Sequence, residues 1–105
     1  MMTELLRTPA SNSYQDPLQD LIQQGAFLVD VRSPQEYAEG HVPGSFNIPL
    51  DRLENQLEKF KDKSSIIVFC RSGGRSSMAK AVLEQNGFSN VFNGGTWENI
   101  NRLIR

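Results

Sequence analysis

The sequence has a single cysteine and a single histidine among its 105 residues, and this scarcity excludes several kinds of site. A disulfide needs two cysteines, and a structural zinc site needs about four cysteine or histidine ligands. The chain also has no large excess of either charge, because its eleven Lys and Arg nearly balance its twelve Asp and Glu, for a formal net charge of -1. A chain that binds along a nucleic-acid backbone normally has a strong basic excess, so we expect no nucleic-acid partner.

Long apolar runs are missing as well. The longest, Ile66–Cys70, has the size of a strand, whereas a membrane helix needs about 20 apolar residues. Residues 1–24 contain no continuous apolar stretch, so we expect neither a membrane partner nor a signal peptide. With 38% apolar residues, the chain is not disordered either. The composition therefore predicts a cytoplasmic domain that folds without metal or cofactor, with a monomer as the default.

Capping patterns predict where the helices begin. Residues 1–16 are polar and aperiodic and are interpreted as a flexible lead-in, so that the domain occupies residues 17–105. Asp16, Ser33 and Asp51 each precede a pattern typical of a helix start. A further helix is predicted from Arg75 to Asn86, and its inward face is expected to carry Met78, Ala79, Val82 and Leu83.

Short apolar runs predict strands at residues 26–31, 46–48, 65–69 and 91–92. The run at 65–69 contains nothing polar after Ser65, which is typical of a central strand buried on both faces. Gly94 and Gly95 are expected to turn the chain into a last helix. Strands that alternate with helices at this spacing predict an α/β fold with a mostly parallel sheet.

The cysteine, Cys70, directly follows the strongest predicted strand. Binding sites in open parallel sheets lie beyond the carboxyl ends of the strands. Gly73 and Gly74 are expected to bend the next loop so that backbone N–H groups point inward, and Arg71 and Arg75 add positive charge. A lone cysteine after a strand is usually an inert apolar residue, but these surroundings lower a thiol pKa and favour a reactive thiolate.

Six segments together resemble the single-domain rhodaneses, in the order in which that family has them. The resemblance implies a five-stranded, mostly parallel sheet with helices on both faces, although no first strand is evident before Pro17. It also implies that sulfane sulfur is carried as a persulfide on Cys70, stabilised by the loop amides. The segments are AFLVDVR (26–32), EY (36–37), GHVPGS (40–45), NIP (47–49), CRSGGRS (70–76) and GGTW (94–97).

The function implied by this resemblance is sulfur transfer from a small anionic donor such as thiosulfate to a thiophilic acceptor. Mercaptopyruvate, a glutathione persulfide or a desulfurase partner stay open as donors. The acceptor must be external (cyanide, a thiol or a protein), because the chain has no second cysteine to resolve a persulfide. The expected substrate-binding residues are Arg71, Ser72, Gly73, Gly74, Arg75 and Ser76.

Other residues are assigned supporting roles. Asp30 and Arg32, at the end of a neighbouring strand, are expected to support the loop, with a surface ion pair as the alternative for Arg32. His41 lies in a Pro-Gly loop and is expected to bind backbone there and not to act as a base. Trp97 is expected to be core and pocket wall, and it could form with Phe46 an apolar rim for a protein acceptor.

Three other kinds of protein share some of these features. Phosphatases and arsenate reductases with a loop cysteine place five residues between Cys and Arg, whereas only four separate Cys70 from Arg75. A nucleotide-binding P-loop would need a Lys before Ser or Thr, which this loop lacks. A non-catalytic or sulfur-carrier rhodanese module, used for binding, stays as the alternative to an enzyme.

Overall fold

A computed structural model of the protein describes residues 16–104. The predicted lead-in at residues 1–16 lies outside the described residues, apart from Asp16. Within residues 16–104, four strands form one sheet in the order β2-β1-β3-β4, and every pairing is parallel. The strands are β1 (Phe27–Asp30), β2 (Phe46–Asn47), β3 (Ile66–Cys70) and β4 (Val91–Thr96).

Helices cover both faces of this sheet. One face packs against a 3₁₀ segment (Leu50–Phe60) and α3 (Gly74–Gln85), and the other against α1 (Pro17–Gln23) and α4 (Trp97–Leu103). The short α2 (Pro34–Glu39) follows β1. The predicted α/β fold is thus confirmed, with four of the five implied strands present among residues 16–104. No helix in that range is both long and apolar enough to cross a membrane.

Two of the three predicted helix caps are confirmed. Ser33 and Glu36 form a reciprocal capping box, and the Asp16 carboxylate accepts a hydrogen bond from the Leu18 backbone N–H at 2.9 Å. The third prediction is wrong, because the segment that contains Asp51 begins one residue earlier, after Pro49, without a side-chain cap. It is also a 3₁₀ segment with non-helical backbone at Gln56 (φ -129°) and not an α-helix.

The predicted inward face of α3 is wrong at Met78, which is 61% exposed. The buried residues are Ser76, Ala79 and Leu83. At about 100° per residue, Met78 lies about 200° around the helix from Ser76. The helix is rotated so that Ser76 faces the sheet, and this rotation turns Met78 outward.

Gly94 and Gly95 lie within β4, so the expected turn is also wrong. The pairing of β3 with β4 shifts register between Val68 and Phe69, opposite this pair of glycines. A Cβ on Gly94 would lie 2.8 Å from Ile100 Cδ1 and 2.9 Å from Ile67 Cγ2, so any larger residue would push these side chains aside. The bulge thus brings β4 close to the core.

Parallel pairing brings the carboxyl ends of three strands to one edge of the sheet. Asp30 at the end of β1 pairs with Phe69, and Cys70 at the end of β3 pairs with Thr96 of β4. The predicted site residues on β1 and β3 therefore share one edge, as expected for this class of fold.

Candidate active site

Cys70 is the last residue of β3, and not the first residue after it as predicted. Its side chain is fully buried. The Gly73 backbone N–H donates to Cys70 Sγ at 3.0 Å, and the Ser76 hydroxyl oxygen lies 3.6 Å from the same sulfur. Gly73 has a φ of +97°, which lets the loop fold back before α3 begins. Gly74 needs no such freedom and is already the first helical residue.

The surroundings of Cys70 act on its pKa in opposite directions. Burial raises the pKa of the thiol, but the hydrogen bonds that the ionised sulfur would accept from the Ser76 hydroxyl and from the backbone N–H groups of Ser76, Gly73 and Ser72 outweigh it. The pKa of Cys70 is therefore below its ordinary value, which confirms the predicted direction. The largest lowering effects come from hydrogen-bond donors and not from the loop arginines.

Arg75 is held by a carboxylate partner from α2. Its Nη1 and Nη2 donate to Glu36 Oε1 and Oε2 at 2.7 and 3.0 Å. These bonds, with a smaller contribution from the Ser33 backbone N–H, lower the pKa of Glu36 to about 2. The same pair raises the pKa of Arg75. In the sequence, Glu36 stood out only as part of a helix start and of the segment EY (36–37), because its partner Arg75 lies 39 positions away.

Arg71, the other arginine of the loop, has no carboxylate partner of the kind that holds Arg75 among the described residues. It is exposed, and within residues 16–104 it has no hydrogen-bond or ion-pair partner. Its side chain borders a polar cavity of about 330 Å³, and Trp97 forms part of the wall as predicted. The full lining is Arg32, Glu36, Glu39, Gly40, Arg71, Trp97 and Glu98.

Asp30 and Arg32 form a buried ion pair, so the surface alternative for Arg32 is wrong. Arg32 Nη2 lies 2.7 Å from Asp30 Oδ2, and the two side chains are 4% and 0% exposed. The same nitrogen donates to the Gly40 carbonyl at 2.7 Å, and the guanidinium lies 4.6 Å from the centre of the Trp97 ring. The pair thus ties the end of β1 to the loop after α2 and to the start of α4.

A second cavity, of about 480 Å³, is mostly apolar. Arg75 borders it, whereas Cys70 lines neither of the two cavities. Because the Cys70 side chain is also fully buried, we expect side chains or backbone of the loop to shift before a donor reaches the sulfur. The lining of this second cavity is Val31, Ser33, Pro34, Pro49, Leu50, Asp51, Arg52 and Arg75.

His41 and Phe46 lie apart from the cysteine. His41 Nδ1 donates to the Tyr37 carbonyl at 2.8 Å, which agrees with the predicted contact to backbone. Phe46 is 59% exposed and contacts Phe27, whose ring belongs to one face of the sheet. Trp97 packs on the opposite face. The expected rim of Phe46 and Trp97 is therefore wrong.

Asn93 of β4 is the site residue that the sequence analysis missed. Its Oδ1 accepts hydrogen bonds from the Ser76 hydroxyl at 2.7 Å and from the Gly95 N–H at 2.9 Å. Its Nδ2 donates to the Ser77 hydroxyl at 2.9 Å. A polar residue beside two glycines in a strand was the available signal, but nothing in the sequence places it next to Ser76.

Comparison with known proteins gives a consistent result. The family model of the rhodanese-like domain matches residues 14–98. The chain is 36% identical over 102 residues to thiosulfate sulfurtransferase 16 of Arabidopsis thaliana, covering 86% of this chain and 84% of that protein. It is also 36% identical over 66 residues to a putative sulfur carrier protein of Bacillus subtilis, covering 63% of this chain.

The chain spans only 36% of the length of that sulfur carrier protein. Among solved structures, a rhodanese with anions from Escherichia coli superposes with a TM-score of 0.66 at 30% identity. That superposition covers 70% of this chain and 89% of the other.

Proposed function

The chain belongs to the rhodanese-like domain family, and on that premise we propose that it is a sulfurtransferase that carries sulfane sulfur on Cys70. The observation that supports this most is the loop around the sulfur. A backbone N–H donates to Cys70 Sγ at 3.0 Å, and hydrogen bonds hold the pKa of the thiol below its ordinary value. Such a pocket stabilises a thiolate before transfer and a persulfide anion after it.

The first step loads the cysteine. The Cys70 thiolate attacks the outer sulfur of thiosulfate, a bond forms between the two sulfur atoms, and the S–S bond of thiosulfate breaks. Sulfite leaves with the electron pair of that bond. The product is a persulfide on Cys70, whose terminal sulfur carries the negative charge.

The second step transfers the terminal sulfur from the Cys70 persulfide to an acceptor. A thiophile such as cyanide attacks the terminal sulfur, and the Cys70 sulfur leaves as the thiolate that began the cycle. With one cysteine in the chain, no internal disulfide can form, so the acceptor is a cyanide ion, a thiol or another protein. A reducing, cytoplasmic compartment suits this chemistry because it keeps a lone thiol free.

The two loop arginines offer different help to an anionic donor. Arg71 faces its cavity without a partner among the described residues, so it can attract thiosulfate directly. Arg75 must first exchange Glu36 for the donor, since both of its terminal nitrogens are engaged. The Escherichia coli rhodanese, whose solved structure is described as containing anions, is a precedent for anion binding on this fold.

The proposal predicts thiocyanate formation from thiosulfate and cyanide, with ping-pong kinetics. Replacing Cys70→Ser removes the nucleophile and is expected to abolish turnover, because the hydroxyl is not ionised at neutral pH. Circular dichroism of the variant checks that the fold is intact. Turnover that survives in a folded Cys70→Ser protein would exclude a persulfide on this residue.

A sulfur-carrier role is the second candidate, and the full burial of Cys70 favours it. A carrier needs its thiol exposed only when a partner protein docks, and one relative is named a putative sulfur carrier protein. The two roles differ in their kinetics. An enzyme loads from thiosulfate alone and turns over many times, whereas a carrier stays unloaded until a protein donor is added.

A further inference from the structure

The Ser76 hydroxyl lies among three groups that could each accept its proton. Its Oγ is 2.7 Å from Asn93 Oδ1, 3.0 Å from the Gly73 carbonyl and 3.6 Å from Cys70 Sγ. A serine has only one hydroxyl proton to donate. The Ser76 hydroxyl can therefore donate to only one of the three acceptors at a time. The other hydrogen bonds of these groups determine which acceptor it is.

The orientation of the Asn93 carboxamide is unambiguous. The Gly95 N–H can only donate, so the carboxamide atom 2.9 Å from it must be the oxygen. The same oxygen lies 2.7 Å from Ser76 Oγ. Two oxygens this close need a proton between them, and only the Ser76 hydroxyl carries one. Ser76 therefore donates to Asn93.

The Gly73 carbonyl does not compete for that proton, because Ser77 already satisfies it. The backbone N–H and the hydroxyl of Ser77 both donate to this carbonyl, at 3.1 and 3.0 Å. The Ser77 hydroxyl is held in this direction because its oxygen accepts from Asn93 Nδ2 at 2.9 Å. One carboxamide thus directs both serine hydroxyls at the start of α3.

We propose that Asn93 is a positioning residue that turns the Ser76 hydroxyl away from Cys70 while the cysteine is a thiol and releases it to the sulfur when the thiol ionises. In the thiol form, the Cys70 S–H group donates to the Ser76 hydroxyl oxygen, which has a lone pair facing the sulfur. In the thiolate form, the hydroxyl rotates and donates to sulfur, at the cost of its bond to Asn93. The carboxamide therefore opposes ionisation through Ser76.

This inference rests on the proposed role of Cys70 as the nucleophile, but it concerns ionisation and not sulfur transfer. Several charged groups lie around the loop, and Arg75 interacts electrostatically with Cys70. None of them contacts Asn93 among the described residues, so a neutral change at Asn93 leaves them in place. These groups are Asp30 and Arg32 from β1, Glu36 from α2, Arg71 and Arg75 from the loop and α3, and Glu98 from α4.

The test is a pH titration of the thiolate by its ultraviolet absorbance, with a Cys70→Ser titration subtracted to remove the tyrosines. The single cysteine makes the signal specific. We expect Asn93→Ala to lower the midpoint by about one pH unit, because Ser76 then donates to the thiolate without giving up a bond to Asn93. Ser76→Ala is expected to raise the midpoint, because it removes the donor.

The double variant Ser76→Ala, Asn93→Ala is expected to titrate like Ser76→Ala alone, because Asn93 acts on the sulfur only through the Ser76 hydroxyl. Asn93→Ser gives a second route if the alanine variant fails to fold. A serine can still accept from the N–H two residues on, but it is too short to reach Ser76, so the midpoint should again fall. Asn90→Ser is the matched control, since within residues 16–104 the Asn90 side chain donates only to the Lys63 and Ser64 carbonyls.

Two results would overturn the proposal. A midpoint that rises in Asn93→Ala or Asn93→Ser would mean that Asn93 holds Ser76 in place for donation to the thiolate. If Asn93→Ala also shifted the midpoint in a protein that carries Ser76→Ala, then Asn93 would affect the ionisation of Cys70 by a route other than Ser76. Loss of sulfur transfer with the expected midpoints would count against the proposed function and leave the role of Asn93 standing.

Discussion

Two ion pairs flank the same loop, and they differ in burial. Asp30 and Arg32 are 0% and 4% exposed, whereas Glu36 and Arg75 are 26% and 38% exposed. The buried pair is surrounded by fixed partners, including the Gly40 carbonyl and the Trp97 ring. Of the half-exposed pair, Arg75 borders the larger cavity and Glu36 borders the smaller one. We infer that the Asp30–Arg32 pair holds the surrounding backbone in place, whereas the Glu36–Arg75 pair can separate when a ligand binds.

Breaking the buried pair should have the largest effect. Arg32→Met leaves the Asp30 carboxylate buried without its partner, which typically costs about 3–5 kcal/mol. Urea denaturation should show a fall of this size in the free energy of unfolding. Glu36→Gln, which breaks the half-exposed pair, should cost only about 0.2–1 kcal/mol. Equal losses in the free energy of unfolding of the two variants would show that the two ion pairs do not differ in their contribution to stability.

Opening the half-exposed pair should change donor binding. In Glu36→Gln, Arg75 is no longer held by a charged partner, so thiosulfate should load at lower concentration, by up to roughly fivefold. Sulfite release at increasing thiosulfate concentration, without an acceptor, measures this loading. Arg75→Gln should change loading in the opposite direction.

Glu84→Gln is the matched control for donor loading, because it breaks the exposed pair between Lys80 and Glu84 on α3. This variant should load like the unchanged protein. If Glu36→Gln loads no better than Glu84→Gln, then Arg75 does not serve as a ligand for the donor.

The smallest expected effect is on stability in acid. The pKa of Glu36 falls from an ordinary 4.5 to about 2 in the folded protein, so on acidification the unfolded chain binds this proton first. The stabilisation from the pair is therefore complete above about pH 4.5 and is lost as the pH falls towards about 2. The difference in free energy of unfolding between the unchanged protein and Glu36→Gln should shrink over that range. A difference that stays constant down to pH 2 would contradict this.

Local patterns predicted much of this fold. The capping box at Ser33, the buried strand that ends in Cys70 and the end of α3 near Asn86 all follow from short-range preferences of the chain. The rotation of α3 could not be predicted in the same way. Met78 is as apolar as the other residues predicted to face inward, but Ser76, which bonds to Asn93 and lies 3.6 Å from Cys70 Sγ, occupies the buried side.

The site was predicted only where its residues are neighbours in the sequence. The loop from Cys70 to Ser76 stood out as one segment. The partners of its side chains, Glu36 and Asn93, lie 39 positions from Arg75 and 17 from Ser76. Parallel pairing and the bulge in β4 bring them to the loop, and neither the pairing register nor the bulge could be derived from the pattern of apolar residues.

The most direct test of sulfur transfer through Cys70 is the mass of the intact protein after treatment with thiosulfate. We expect each chain to gain the mass of one sulfur atom, on the peptide that contains Cys70, and to lose it again when cyanide is added. No gain from thiosulfate or from a persulfide donor, or the same gain in Cys70→Ser, would contradict a persulfide on this cysteine.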